Sequence, residues 1–226
     1  MCGRFTLATD LAQLEERFSF HTANRSFAPR YNIAPSQAVL AVIRDEKDNR
    51  AGNRGGLLRW GLIPSWAKDA EIGNRMINAR AETVAEKPSF RRALQQRRCL
   101  ILADGFYEWR QEGKKKIPTF ITLASREPFA FAGLWETWRP PDGEVIHSCT
   151  IITTTPNTLM EVIHNRMPVI LARESETAWL DRTITEPEKL LPLLVPYPET
   201  LMDAYEVALT VNSPKNDSPA CIAPEQ

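Results

Sequence analysis

Apolar positions along the chain recur with two different periods. In "DLAQLEERFSF", residues 10–20, Leu11, Leu14 and Phe18 share one face at helical spacing, and Asp10 stands where an N-cap belongs, so a helix is expected. "YNIAPSQ" at 31–37 reads as a Pro-broken loop, followed by a strand in "AVLAVIRD". "AGNRGG" reads as the turn of a hairpin whose second strand is "LLRWGLI". "PSWAKDAEIGNRMINARAET" has no clean period and reads as an ordered loop, of a length that is usually functional. Thr83 and Glu86 have the spacing of a capping box ahead of "KPSFRRALQQRR", expected to be helical from about Ser89. "CLILADGFYEWRQEGKKKIPTFITL" predicts three strands with a turn at Gly113, and "FAFAGLWETW" and "HSCTIITTT" predict two more. Thr155 is expected to cap a helix that has Pro156 in its first position and ends near His164. A strand "MPVIL", two short capped helices near Ser175 and Thr185, and a last strand "YEVALTV" complete the pattern. Strands joined by short turns, with helices at irregular intervals, predict an α+β fold with a mostly antiparallel sheet rather than repeated βαβ units.

Composition narrows the picture only modestly. The 226 residues suit one large domain or two small ones, with 43% hydrophobic and 25% charged residues. Lys+Arg and Asp+Glu are 28 each, so bulk charge makes no case for nucleic acid, although a neutral chain can still gather its arginines on one face. The N-terminus lacks the basic-then-apolar pattern of a secretory leader, and no apolar run has the length of a membrane span. Cys2, Cys99, Cys149 and Cys221 show no metal-ligand spacing, and no Gly-rich loop opens a helix, so neither metal nor cofactor is expected. Free thiols in a reducing cytoplasm are the expectation.

The chain opens "MCGRF". Removal of Met1, which the small Cys2 side chain permits, would leave Cys2 with its α-amine and thiol on adjacent carbons. The amine titrates near ~8 and the thiol near ~8.5, so both are partly nucleophilic at neutral pH. A 1,2-aminothiol meeting an aldehyde forms an imine, and the thiol then closes onto the same carbon to give a thiazolidine. The same residue could instead act as an N-terminal nucleophile on an amide, with the α-amine as base; some glutamine amidotransferases also begin Met-Cys-Gly. An early cysteine is also often incidental, so supporting residues matter. "MINARAE" offers Asn78 to orient a thiol or amine, Arg80 to grip phosphate, and Glu82, although a plain turn with a surface arginine has the same composition. Glu108 lies between Tyr107 and Trp109, where lost solvation would favour acid–base work, yet strand alternation also fits a solvated glutamate. His164 follows a helix, as a proton shuttle or as a cap. Trp66 sits on a Pro-containing loop, either as a core anchor or as an exposed stacking wedge. His21, His147 and the "GKKK" run at 113–116 read as surface.

In order and spacing, "MCGRF", "YNIAPSQ", "RWGLIPSWAKD", "INARAET", "ADGFYEW", "FAGLWE" and "IHNRMPVIL" together resemble the SOS response-associated peptidase (SRAP) family over nearly the whole chain. The resemblance implies a single domain across 1–226, with an ordered core of about 2–216, a short tail at 217–226, and a barrel-like twisted sheet with peripheral helices. It implies binding to single-stranded DNA and a covalent crosslink from Cys2 to the opened aldehyde of an abasic site, shielding that site from cleavage. Within that activity, Asn78 would position Cys2, Glu108 would act as general acid–base, and His164 would serve the opened sugar oxygen. Arg4, Arg80 and Arg166 would bind the flanking phosphates and Trp66 would wedge against duplex. The family name refers to removal of residues ahead of the cysteine, and imine chemistry could also support a lyase step. A monomer acting in the cytoplasm, without metal or membrane, is the expectation.

Overall fold

The computed structural model describes residues 2–23, 27–45, 52–140 and 143–225. In chain order the elements are β1 (Phe5–Leu7), α1 (Leu11–Phe18), β2 (Phe20–His21), β3 (Arg30–Ile33), β4 (Ala38–Asp45), β5 (Gly52–Trp60), β6 (Asn78–Arg80) and α2 (Arg91–Gln96). There follow β7 (Arg98–Ala103), β8 (Gly105–Glu112), β9 (Lys115–Leu123), β10 (Phe129–Trp138), β11 (Ile146–Thr154) and α3 (Thr158–Glu161). Last come β12 (Met167–Pro168), α4 (Arg173–Leu180), α5 (Pro187–Leu190) and β13 (Met202–Glu206), with short 3-10 turns between several of these. The fold is α+β with mostly antiparallel pairing, as expected.

Two sheets carry it. One has the order β13-β9-β8-β1-β3. In the other, β11-β10-β7-β4-β5 closes into a barrel, because β5 also pairs in parallel with β11 at Ser148–Arg59 and Cys149–Trp60. β6 and β12 extend the far end of β11. Apolar residues of both sheets merge into one core, and the Phe5 ring sits at the junction, edge-on to Trp60 at 5.1 Å and to Phe131 at 5.7 Å.

Several local expectations are corrected. The glycine-rich run is not a turn: β5 begins at Gly52, and a Cβ on Gly55 would lie 2.3 Å from the Phe20 ring, so glycine there lets β2 pack across the strand. Thr83 and Glu86 form no capping box; their backbones close successive turns, and α2 starts at Arg91 with no side-chain cap. The cap after β11 is Asn157, whose side chain accepts the Met160 N–H at 2.9 Å, and not Thr155. The helices near Ser175 and Thr185 form at 173–180 and 187–190, without side-chain caps. The last strand stops at Glu206 and "LTVN" coils into a 3-10 turn.

Residues beyond 216 are not a loose tail. Asp217 accepts the Tyr31 N–H at 2.5 Å and the Asn32 N–H at 3.0 Å and pairs with Arg30. Cys221 is buried against Tyr107 and Phe120, and Pro224 bridges to Val207. All four cysteines are free thiols and buried. Among the described residues no helix is long and apolar enough to cross a membrane.

Candidate reactive site around Cys2

The burial of Cys2 follows from Phe5. Driving that ring into the core makes β1 an interior strand, paired on one side to β3 (Phe5–Ile33) and on the other to β8 (Phe5–Phe106, Thr6–Gly105). Asp104 grips the far end of the strand: its carboxylate accepts from Thr6 Oγ1 at 2.5 Å, the Ala8 N–H at 2.6 Å and the Thr9 N–H at 3.0 Å. Held at both points, the segment carries Cys2 inward until it is fully buried.

Two side chains meet it there. Asn78 donates from Nδ2 to the Cys2 carbonyl at 2.9 Å, across 76 residues of sequence. β6 holds Asn78 in place through its parallel pairing to β11. Its Oδ1 is buried with no hydrogen-bond partner among the described residues. Glu108 arrives from β8, where the ladder continues past Phe106 with the Tyr107 N–H donating to the Arg4 carbonyl at 2.9 Å. It is 3% exposed, so the solvated-face reading of Glu108 does not hold. Burial pushes the Cys2 thiol well above its ordinary range and the Glu108 carboxylate pushes it further, with a backbone hydrogen bond at Arg4 opposing them. In this state the thiol is protonated.

Glu108 and His164 line one open cleft of about 540 Å³, together with Trp109, Gln111, Lys116, Ile163 and Asn212. α3 stops at Glu161, and a turn closing on Met160 brings His164 to the cleft. Its Nδ1 lies 3.0 Å from the Arg166 backbone nitrogen, whose N–H it accepts, and 3.2 Å from the Arg166 carbonyl oxygen.

The three arginines expected at phosphates separate. Arg80, at the end of β6, is exposed. Arg166 is bidentate on Glu82, also donates to the Thr153 carbonyl at 2.7 Å, and retains 14% side-chain exposure. That pairing holds the Glu82 carboxyl below its ordinary range. Arg4 donates to Asn32 Oδ1 at 2.6 Å and to the Val211 carbonyl at 2.8 Å, with its guanidinium 5.7 Å from the Trp109 ring centre. Arg4 therefore ties the N-terminus to the C-terminal segment, and Arg166 braces β11. Trp66 is 60% exposed. Its loop is pinned on both sides: Trp138 Nε1 donates to the Ala67 carbonyl at 2.8 Å, and Gly61 takes φ +122° where a Cβ would lie 2.6 Å from the Gly73 carbonyl oxygen. The structure thus brings Cys2, Asn78, Glu108 and His164 to one region and leaves Arg80 and Trp66 presented to solvent.

Sequence reasoning missed Asn32, Asp104, Lys116 and Asp217. Asn32 is a buried hub whose Nδ2 faces the carbonyls of Val211, Ser213 and Asn216. Its place inside "YNIAPSQ" was the available signal, as was the position of Asp104 in "ADGFYEW". Among the described residues no cluster of three or more His, Cys, Asp or Glu could hold a metal ion.

The family model described as SOS response associated peptidase (SRAP) matches residues 1–214. The chain is 53% identical over 225 residues to the abasic site processing protein YoqW of Bacillus subtilis, covering 98% of this chain and 99% of that one. It is 32% identical over 224 residues to the abasic site processing protein HMCES of Xenopus tropicalis, covering 87% and 66%. A crystal structure of a Bacteroides thetaiotaomicron protein superposes with a TM-score of 0.89 at 28% identity, covering all of both chains.

Proposed function

Because the chain belongs to the SOS response associated peptidase family, we propose that it processes abasic sites in DNA, capturing the opened deoxyribose aldehyde of a single strand on Cys2. The α-amine attacks the C1′ aldehyde and loses water to give an imine. The thiol then adds to the imine carbon as its proton passes to the imine nitrogen, closing a thiazolidine. The sum is protein plus DNA minus one water, with no oxidant or cofactor. The reaction requires a free Cys2 amine, hence removal of Met1.

The observation that carries this reading is the pairing of Asn78 and Glu108 on one buried N-terminal cysteine. A hydrogen bond to the Cys2 carbonyl fixes the residue while leaving its amine and thiol to react. Asn78 Oδ1 is then an acceptor for the free ammonium or amine. Glu108 is the carboxylate that acts on the thiol electrostatically, so it suits proton transfer during imine formation, ring closure and their reversal. His164, in the same cleft, would serve the sugar oxygen released on ring opening. Arg80 would bind a flanking phosphate and Trp66 would stack against a base or the end of a duplex. A covalent cap of this kind would shield the site from strand cleavage.

The test is intact mass of the demethionylated protein mixed with a single-stranded oligonucleotide carrying one abasic site. A denaturation-resistant adduct at protein plus DNA minus water is expected, and it should vanish in Cys2→Ala while reversible binding persists. An adduct of equal yield in Cys2→Ala would reject the assignment.

A further inference from the structure

The chain is neutral overall, yet Arg17, Arg44, Arg54, Arg97, Arg173 and Arg182 line cavities along the barrel surface that carries β4, β5 and β7. Three adjoining cavities run across this surface. The first, about 380 Å³, is lined by Arg17, Arg44 and Arg173 among others. The second, about 240 Å³, shares Arg44 and adds Arg97, Arg182 and Trp135. The third, about 140 Å³, shares Ile43 and Trp135 with the second and adds Arg54 and His147. Together they form one groove. Among the described residues, three carboxylates beside it are engaged. Glu176 is bidentate with Arg17 at 2.9 Å, Asp181 accepts from Thr183 Oγ1 at 2.7 Å, and Glu136 pairs with Arg97. Arg44, Arg54, Arg173 and Arg182, which line it, are exposed. Trp135 sits between the Arg97 guanidinium, 5.4 Å from its ring centre, and the His147 ring at 6.3 Å.

We propose that this groove is a second nucleic-acid-binding surface, which takes the phosphate backbone of a single strand away from the Cys2 cleft. A row of guanidinium groups on an aromatic floor suits phosphates with adjacent bases better than it suits a protein carboxylate cluster, because Trp135 offers a stacking face as well. The mutual crowding of cations is independently visible. After burial, the charges of Arg54, Arg139 and Arg97 lower the His147 pKa, and Arg92, Arg139 and Arg182 lower that of Arg97. A polyanion would relieve that repulsion. The groove is distinct from the reactive cleft. His147 and Thr153, which pairs with Arg80, lie at opposite ends of β11, about 20 Å apart along the strand.

The test measures binding of an intact oligodeoxynucleotide of about 30 residues, longer than one ordinary single-strand site, by fluorescence anisotropy across a salt series. Replacing Arg44, Arg173 and Arg182 together by alanine should weaken binding and reduce the slope of log K against log salt by about 2, from three phosphates at ~0.7 each. The same three changed to lysine should keep the wild-type slope. A triple-alanine protein with wild-type slope and affinity would overturn the proposal. So would an equal loss in the triple-lysine protein, which would mark a structural role. Adduct formation on a short abasic oligonucleotide should be unchanged in both variants. If no version forms an adduct, the Cys2 reading fails while the salt slopes still report on the groove.

Discussion

Replacing Asp217 by alanine removes three hydrogen-bonded interactions at once. The side chain accepts the Tyr31 and Asn32 backbone N–H groups and pairs with Arg30. The Arg30 pair retains 30% and 23% side-chain exposure and contributes under about 1 kcal/mol. Each part-buried N–H loses a charged acceptor, at about 1 kcal/mol apiece after allowing for water access. The expected loss is therefore about 2–3 kcal/mol. With a urea m-value of about 2 kcal/mol/M, the unfolding midpoint should fall by somewhat over ~1 M with m unchanged. Tryptophan fluorescence in a urea titration reads this directly. Asp217→Asn keeps one acceptor and should lose less. A midpoint unchanged in Asp217→Ala would refute the conclusion that the segment after 216 secures β3.

Three further outcomes follow from the site. Glu108→Gln removes the carboxylate that raises the Cys2 thiol pKa, so the pH midpoint of thiol alkylation should move down while aldehyde capture and its reversal both slow; an unmoved midpoint would detach Glu108 from Cys2. Arg80→Ala should weaken reversible single-strand binding about equally for all sequences and lower the salt slope by ~0.7, since phosphate contacts carry no sequence information. Trp66→Ala should change unfolding free energy by no more than about 0.5 kcal/mol, as its 60% exposure requires, yet cost about 1–3 kcal/mol in DNA binding measured by anisotropy; a large stability loss would identify Trp66 as a packing residue.

The strands of the second half were legible because their apolar runs are long and their turns carry glycine, as at Gly113 with φ +59°. The hairpin of β4 and β5 was legible, but its glycines were misread. "GNRGG" has turn composition, and only the Phe20 ring packed across Gly55 explains why it is strand. Helix caps failed where backbone turns satisfied the same groups, as at Thr83. Cys2, Asn78, Glu108 and His164 each lie in a distinctive motif, and the fold brings them into one region. Their partners were not readable. Nothing local signals that Glu82 neutralises Arg166, or that Asn32 and Val211 hold Arg4. Those are contacts made across the fold, and composition is blind to them.

The barrel closes through only two parallel pairs, Ser148–Arg59 and Cys149–Trp60, between strands remote in sequence. Pairing across such a separation carries a loop-closure entropy that slows folding. The neighbouring stretch of β11 is also what holds β6, and β6 holds Asn78. With that stretch of β11 displaced, Cys2 would lose the amide that fixes its carbonyl. If Cys2 acts as proposed, its positioning depends on strand pairing between segments remote in sequence, so a lesion in barrel closure would reach the site without touching any residue in it.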